Sequence, residues 1–307
     1  MMQCPICCER SGLNLVEVWK DYKFYNCSAC DVVFSDPMRN PGSGWYEESE
    51  DYTFWRIFGQ KLEWRHKQFL HDRKVNDNYL LDIGCGPGLF LHEAQKMGYT
   101  VTGIDFSREM IGAAKERFRF DEVYPVSLED FITSHPNKKF DVITFFEVLE
   151  HLDDPNSFIR LLKSCLKPEG YIALSVPNRE RFLEWMGEGD YPPHHLTRWN
   201  SSSISRFFER HGFEIVKIVI QSLDTEDIER FLKGKIRFRI AYSTIQKGMT
   251  SHNEKLINYA AVLMQVKDYT FKGIATLFIP FLKFLKLQGT GIYCLARLKP
   301  IESGAKP

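Results

Sequence analysis

Residues 80–90 read Leu-Leu-Asp-Ile-Gly-Cys-Gly-Pro-Gly-Leu-Phe, and no other stretch constrains the fold of this 307-residue chain so tightly. An apolar run enters Asp82, glycines follow at 84, 86 and 88, and a helix-like segment comes next. The pattern predicts a buried strand, a tight turn and a helix N-terminus. Glycine permits positive φ and lets a ligand lie against bare main chain. The helix start beyond it offers free N–H groups. Many dinucleotide sites share such a turn, so the glycines alone are weakly specific. Here an acid precedes them, and a second acid, Asp105, follows about twenty residues on, as in sheets that hold an adenosine-containing cofactor at the carboxyl ends of their strands.

Three further segments appear in order. They are Val101-Thr-Gly-Ile-Asp-Phe-Ser107, Phe140-Asp-Val-Ile-Thr-Phe-Phe-Glu-Val-Leu-Glu-His-Leu152 and Gly170-Tyr-Ile-Ala-Leu-Ser-Val-Pro-Asn178. Together with the glycine turn they resemble the motifs of class I S-adenosylmethionine-dependent methyltransferases, over residues 75–220 and again at 290–300. From Tyr79 the pattern alternates strand and helix, which predicts an α/β fold with a doubly wound, mostly parallel sheet. Seven strands are expected, near 79–84, 100–105, 122–127, 140–146, 170–176, 213–220 and 291–298.

The resemblance implies S-adenosylmethionine as cofactor and assigns its contacts. The turn Gly84-Cys85-Gly86 with Gly88 would carry the methionine portion, and Asp82 would meet its ammonium. Asp105 would accept from the ribose hydroxyls, with Phe106 beside the adenine. Ser127 and Leu128 would frame the adenine edge, and Phe146 would lie toward the sulfonium. Glu150-His151 resembles a pair that opens a helix after the fourth strand, a structural role that ranks first, and the second reading has Glu147 and His151 lining the cofactor site.

Methyl transfer asks chiefly for alignment of nucleophile, methyl and sulfur. A hydroxyl or acidic carbon must also lose a proton, which calls for a base of near-neutral pKa. Asp190-Tyr-Pro-Pro-His-His-Leu-Thr-Arg-Trp199 supplies histidines whose ordinary pKa fits that task. This loop resembles the substrate face of the small-molecule enzymes. Either His194 or His195 can be the base, and His195 is the preferred one. Tyr46 and Tyr52 are further candidates, on an aromatic stretch expected to cross the cofactor pocket and lead into a helix from Trp55 to about Lys74. An Asn-Pro-Pro-Tyr signature, which clamps planar amino groups in related enzymes, is missing; Val176-Pro-Asn178 stands in its place. That favours O- or C-methylation of a small molecule over nucleobase N-methylation.

Cys4-Pro-Ile-Cys7 and Cys27-Ser-Ala-Cys30 form two Cys-x-x-Cys knuckles separated by nineteen residues. Each knuckle sets two thiolates on one turn, and two such turns close a tetrahedron around Zn²⁺. Alternating apolar residues at 13–19 and 22–25 predict short strands, so residues 1–40 read as a zinc ribbon whose folding energy comes from the metal. Cys8 is spare, and Cys165 and Cys294 sit on apolar elements.

The domain reading is a ribbon over 1–40, a linker and helical cap over 41–75, and a catalytic domain over 76–300. A helical insertion over 222–289 precedes the last strand, because that span is too long for a loop. Formal net charge is zero, which gives no general case for nucleic acid. Residues 231–300 nonetheless hold 12 lysines and arginines against 2 acids. Such an insertion could lid a soluble substrate or meet an amphiphile or anionic membrane surface. The chain opens without an apolar leader and holds no uncharged run of membrane-spanning length, so a cytoplasmic protein is expected. Two alternatives stand beside a small-molecule methyltransferase: an RNA methyltransferase guided by the ribbon and the basic insertion, and a cofactor-binding scaffold without turnover. RNA binding would show steep salt dependence.

Overall fold

The computed structural model describes residues 2–42, 61–72, 79–182, 188–223, 273, 276, 279–281, 284, 285 and 287–300. Tyr46 and Tyr52 lie outside the described residues, as do most of the expected insertion and part of the 55–74 helix.

A small antiparallel sheet opens the chain: β1 (Leu13–Trp19), β2 (Tyr22–Cys27) and β3 (Val33–Asp36). Its fourth strand comes from far along the sequence. β9 (Thr197–Arg198) pairs antiparallel with β3, setting Phe34 opposite Thr197 and Val33 opposite Arg198.

The described part of the first helix, α1, spans Trp64–Asp72. The main sheet then begins with β4 (Tyr79–Ile83), whose residues from Leu80 to Ile83 are all buried. It continues through α2 (Leu89–Lys96), β5 (Thr100–Ile104), α3 (Arg108–Phe118), β6 (Val123–Tyr124), α4 (Leu128–Ser134) and β7 (Phe140–Phe146). After β7 come α5 (Pro155–Cys165), β8 (Leu166–Pro177), α6 (Ser201–Arg210), β10 (Phe213–Ser222) and β11 (Gln288–Leu298). The seven strands lie in the order β10-β11-β8-β7-β4-β5-β6. β4 pairs parallel with β5 and β7, β5 with β6, and β7 with β8, while β11 runs antiparallel to β8. The expected fold class is therefore present, a mostly parallel seven-stranded sheet beside an N-terminal antiparallel one.

The chain leaves β4 for β5 and β6 on one side, then returns to place β7 on the other. That reversal opens a crevice at the carboxyl ends of β4, β5 and β7. Asp82, Asp105 and Glu147 all stand there, at or just past strand ends.

Side-chain caps fix where the helices start. Ser107 accepts from Met110 N–H at 3.2 Å, and Asp154 accepts from Ser157 N–H at 2.9 Å just before Pro155. Asn200 and Ser203 form a reciprocal capping box on α6, which buries Ile204, Phe207 and Phe208. Apolar side chains pack on both faces of the sheet, around Phe145, Leu174 and Trp199 on one face and Phe90, Val142 and Leu295 on the other.

Some boundaries differ from expectation. β6 is two residues long rather than six, because Ser127 turns away to cap α4 and accepts from Asp130 N–H at 3.1 Å. Glu150-His151 belongs to a single 3₁₀ turn, Leu149–His151, and the helix proper waits for the Asp154-Pro155 start. By compactness the chain divides into two units. The first holds residues 1–179, 187–219 and 291–307, and the second holds residues 180–186 and 220–290. Among the described residues no helix is long and apolar enough to cross a membrane.

Candidate active site

The turn after β4 is built as its glycines require. Gly84, Gly86 and Gly88 have φ of +76°, +51° and +78°. Gly84 and Cys85 donate to the Ile104 carbonyl at 2.8 and 3.1 Å, which ties the turn to β5. The three glycines serve different ends. A side chain at Gly88 would press on Phe120 at 2.8 Å and Ala114 at 3.1 Å, so glycine there lets α2 pack closely. At Gly84 it would meet Val148 of the β7 loop at 3.0 Å. At Gly86 it would meet nothing within 4 Å among the described residues, leaving bare main chain there. Cys85 is buried between these positions, and burial pushes its thiol well above the ordinary range.

Two acids converge on the turn. Asp105, 7% exposed, accepts from Gly86 N–H at 3.0 Å and from Ser107 N–H at 2.9 Å, one on each carboxylate oxygen. Each oxygen keeps further lone-pair capacity for a ligand hydroxyl. Burial raises its pKa while the two N–H donors oppose the rise. Asp82 lies beside Thr144 in the β4–β7 register and accepts its hydroxyl at 2.6 Å. Burial, reinforced by the charge of Asp105, pushes Asp82 up to about 7 against the pull of Thr144. A buried carboxylate poised this way gains most from a cationic partner.

Phe106 is 42% exposed just past β5. Leu128 is buried, and Ser127 is engaged in capping α4. Phe146 closes an aromatic group with Phe90 at 5.3 Å and His66 at 5.2 Å between ring centroids. His66, on α1, went unnoticed in the sequence. Burial and the neighbouring Arg65 push it down to about 3, so it stays neutral in an apolar cluster.

A second group forms past β7. Glu147 adopts φ of +54° and accepts the Ser175 hydroxyl at 2.6 Å. Three residues on, Glu150 is 1% exposed, and among the described residues neither of its carboxylate oxygens has a hydrogen-bond partner. Burial first, and Glu147 second, raise its pKa well above the carboxylate range. His151 Nδ1 lies 2.8 Å from the His194 carbonyl. A carbonyl only accepts, so Nδ1 carries the proton and Nε2 the lone pair. Burial and the two neighbouring histidines hold His151 well below its usual pKa. The rings of His151, His194 and His195 meet at centroid distances of 4.7, 4.8 and 5.0 Å. His195 Nδ1 stands 3.6 Å from Asp190. The sequence paired His194 with His195 on one loop; that His151 completes the group is a product of the fold.

The loop holding these histidines is gripped by the N-terminal sheet. Tyr191 stacks on Trp19 at 4.0 Å and donates its hydroxyl to Glu17 at 2.7 Å. Arg198 donates to the other Glu17 oxygen at 2.6 Å and lies over Phe24 at 4.0 Å. Ser35 N–H donates to the Leu196 carbonyl at 2.9 Å, and Leu196 N–H to the Glu150 main-chain carbonyl at 2.8 Å. In that same sheet Cys4 and Cys30 place their sulfurs 3.6 Å apart, and Cys7 and Cys27 theirs 3.5 Å apart, with all four within 4.8 Å of one another. Four sulfurs around a zinc ion at about 2.3 Å would stand about 3.8 Å apart, so this donor set fits the metal.

A family model described as "Methyltransferase domain" matches residues 54–218. A ubiquinone biosynthesis O-methyltransferase of Actinobacillus pleuropneumoniae is 38% identical over 107 residues, covering 33% of this chain and 46% of that protein. Its counterpart in Thiobacillus denitrificans is 36% identical over 140 residues, covering 44% of this chain and 58% of that one. The chain thus spans about half the length of the curated relatives it matches. In fold it resembles a SAM dependent methyltransferase from Archaeoglobus fulgidus, with a TM-score of 0.52 at 19% identity over 81% of this chain and all of that one. With the glycine turn, the paired acids and the strand order in place, the chain belongs to the class I S-adenosylmethionine-dependent methyltransferases.

Proposed function

We propose that this protein transfers the methyl group of S-adenosylmethionine to an oxygen, or an acidic carbon, of a small and lipid-like molecule. The observation that carries the reading is the pairing of two unlike sites at one sheet edge: a bare main-chain turn flanked by buried Asp82 and Asp105, and a histidine cluster past β7. Asp82 meets the cofactor's ammonium, Gly86 passes its methionine portion, Asp105 takes the ribose hydroxyls and Phe106 the adenine. Tyr46 remains a candidate on the acceptor side.

On that side His195 removes the acceptor proton, steadied by Asp190, with His194 beside it. The freed electron pair attacks the methyl carbon. A carbon–oxygen bond forms as the carbon–sulfur bond breaks, and the sulfonium leaves as a neutral thioether that keeps the bonding pair. Alignment of three atoms supplies much of the rate. Four cysteines hold a structural zinc ion that fixes the N-terminal sheet, and through it the histidine loop. The acceptor's lipid-like character is supported by the relatives named for ubiquinone biosynthesis. Phe278, Lys272, Lys283 and Lys286 of the basic stretch lie outside the described residues.

Calorimetry should show S-adenosylmethionine and its demethylated product binding at micromolar Kd or tighter, roughly −8 kcal/mol. A screen of extracted metabolites with labelled cofactor should then name the acceptor. No heat and no thermal shift with either ligand would overturn the assignment. An acceptor found among RNAs rather than lipids would overturn the substrate class.

A further inference from the structure

Among the described residues two clusters of metal-ligating side chains stand out, and of these the cysteine set resembles a closed structural site. The other consists of His151, His194 and His195, whose ligand nitrogens all lie within 4.8 Å of one another. We propose that these three imidazoles bind a second divalent cation of the borderline class, such as Zn²⁺, at the acceptor end of the active site.

The cluster is arranged as metal sites are. The His194 carbonyl fixes the His151 ring through Nδ1 and leaves Nε2 with its lone pair. Such a partner behind the ring sets both tautomer and orientation in metal-binding histidines. Asp190 occupies the corresponding place behind His195, 3.6 Å from its Nδ1. Glu150 flanks the cluster. Its Oε1 lies 3.8 Å from His151 Nε2, and both of its oxygens are buried without hydrogen-bond partners among the described residues. A cation seated between them would give the buried carboxyl oxygens a partner.

Ideal geometry is close. Nitrogens bound to zinc at about 2.0–2.1 Å stand about 3.3 Å apart, so ring rotations that draw the nitrogens inward by about 1.5 Å complete the site. Three histidine ligands leave a position open, the pattern of catalytic rather than structural zinc. A hydroxyl brought to that position would have its pKa lowered by the ion. The proposal rests on reading this cluster as the acceptor side. With the ion bound, His195 acts as a ligand, and ionisation of the acceptor falls to the metal.

Co²⁺ is the test probe, titrated into full-length protein whose cysteine cluster is already filled with zinc. One further equivalent should bind, with the visible bands of nitrogen and oxygen ligands and no sulfur-to-cobalt charge transfer. His151→Gln and His194→Ala should each weaken that binding by about 10- to 100-fold or more. Both variants should keep wild-type calorimetric affinity for the demethylated cofactor, which certifies their fold. No equivalent beyond the cysteine site, or binding indifferent to both substitutions, would overturn the proposal. Turnover that needs His195 but no second metal would overturn it too while leaving His195 as the base. A second metal that binds as described in a protein whose acceptor site is found elsewhere would overturn only the acceptor-side reading.

Discussion

The two halves of the proposed site, one for the cofactor and one for the acceptor, are made by opposite means. The cofactor half is local. Residues 82–88 and 105–107 build it from adjacent strand ends, with main-chain N–H groups as its working parts and glycines where side chains would intrude. The acceptor half is assembled from afar. His151 comes from the turn after β7, His194 and His195 from a loop some forty residues later, and their support from Glu17, Trp19 and Ser35 in the first thirty-six residues. Main chain cannot be altered by substitution, so the cofactor half suits a ligand that never changes. Side chains propped by a separate sheet suit an acceptor that differs from one enzyme to the next.

If the halves are separable, the largest effect should come from removing a ligand of the zinc ion proposed for the N-terminal cysteines. Structural zinc in small modules contributes about 10–16 kcal/mol of apparent binding energy to folding. Cys27→Ser should therefore lose the ion, release β1–β3 from β9 and abolish methyl transfer. Cofactor affinity should stay within a few fold, since the glycine turn and Asp105 are held by β5 and by each other. Elemental analysis beside calorimetry checks both parts, and a collapse of cofactor binding would show that the halves are one. Next in size is His195→Ala, which should lower kcat by about 10²–10⁴ at nearly constant cofactor affinity. His194→Ala should do less.

The same contrast explains what could be read from the sequence. The glycine turn, Asp105 and the four cysteines are each a short run whose spacing maps onto one piece of backbone, and all were legible. The strand alternation likewise gave the sheet, because buried parallel strands read as apolar runs. The acceptor half was legible only in part. His194 and His195 announce themselves as a pair, but His151 joins them through parallel pairing of β7 with β8, which no local pattern encodes. Glu17 looks like an ordinary exposed-face residue of a short strand. Its two partners lie about 175 residues away, and only the β3–β9 pairing brings them to it. His66 was missed for a similar reason, since a histidine on a helix carries no sign that an aromatic cluster will enclose it.

Two smaller substitutions sharpen the comparison from either side. Asp105→Ala should weaken cofactor binding by about 1–3 kcal/mol, because buried ribose donors would lose an ionised acceptor. Acceptor KM should be unchanged. Glu17→Gln should act the other way. It keeps an acceptor for the Tyr191 hydroxyl but loses the charge that meets Arg198, a partly exposed pair for which about 1 kcal/mol is expected. Its signature is a raised acceptor KM with cofactor affinity intact. A Glu17→Gln protein that binds cofactor more weakly would mean that the N-terminal sheet reaches the glycine turn as well.

The smallest effect is a pH dependence confined to the cofactor half. Asp82 is pushed up to about 7 by burial, against an ordinary value near 3.8. A folded-state pKa above the unfolded one means that the folded chain holds the extra proton, so the empty protein loses stability as pH rises from about 4 to 7. The bound cofactor reverses the preference, since its ammonium favours the carboxylate. Affinity should then rise about fivefold from pH 6 to pH 7 as Asp82 ionises, and level off above. Asp82→Asn should abolish the slope and hold affinity near the low-pH value, while Asp105→Ala should lower affinity and keep most of the slope. A wild-type affinity flat across pH 5–7 would mean that Asp82 does not meet the ammonium, and the charge recognition of the cofactor would have to be sought elsewhere along the turn.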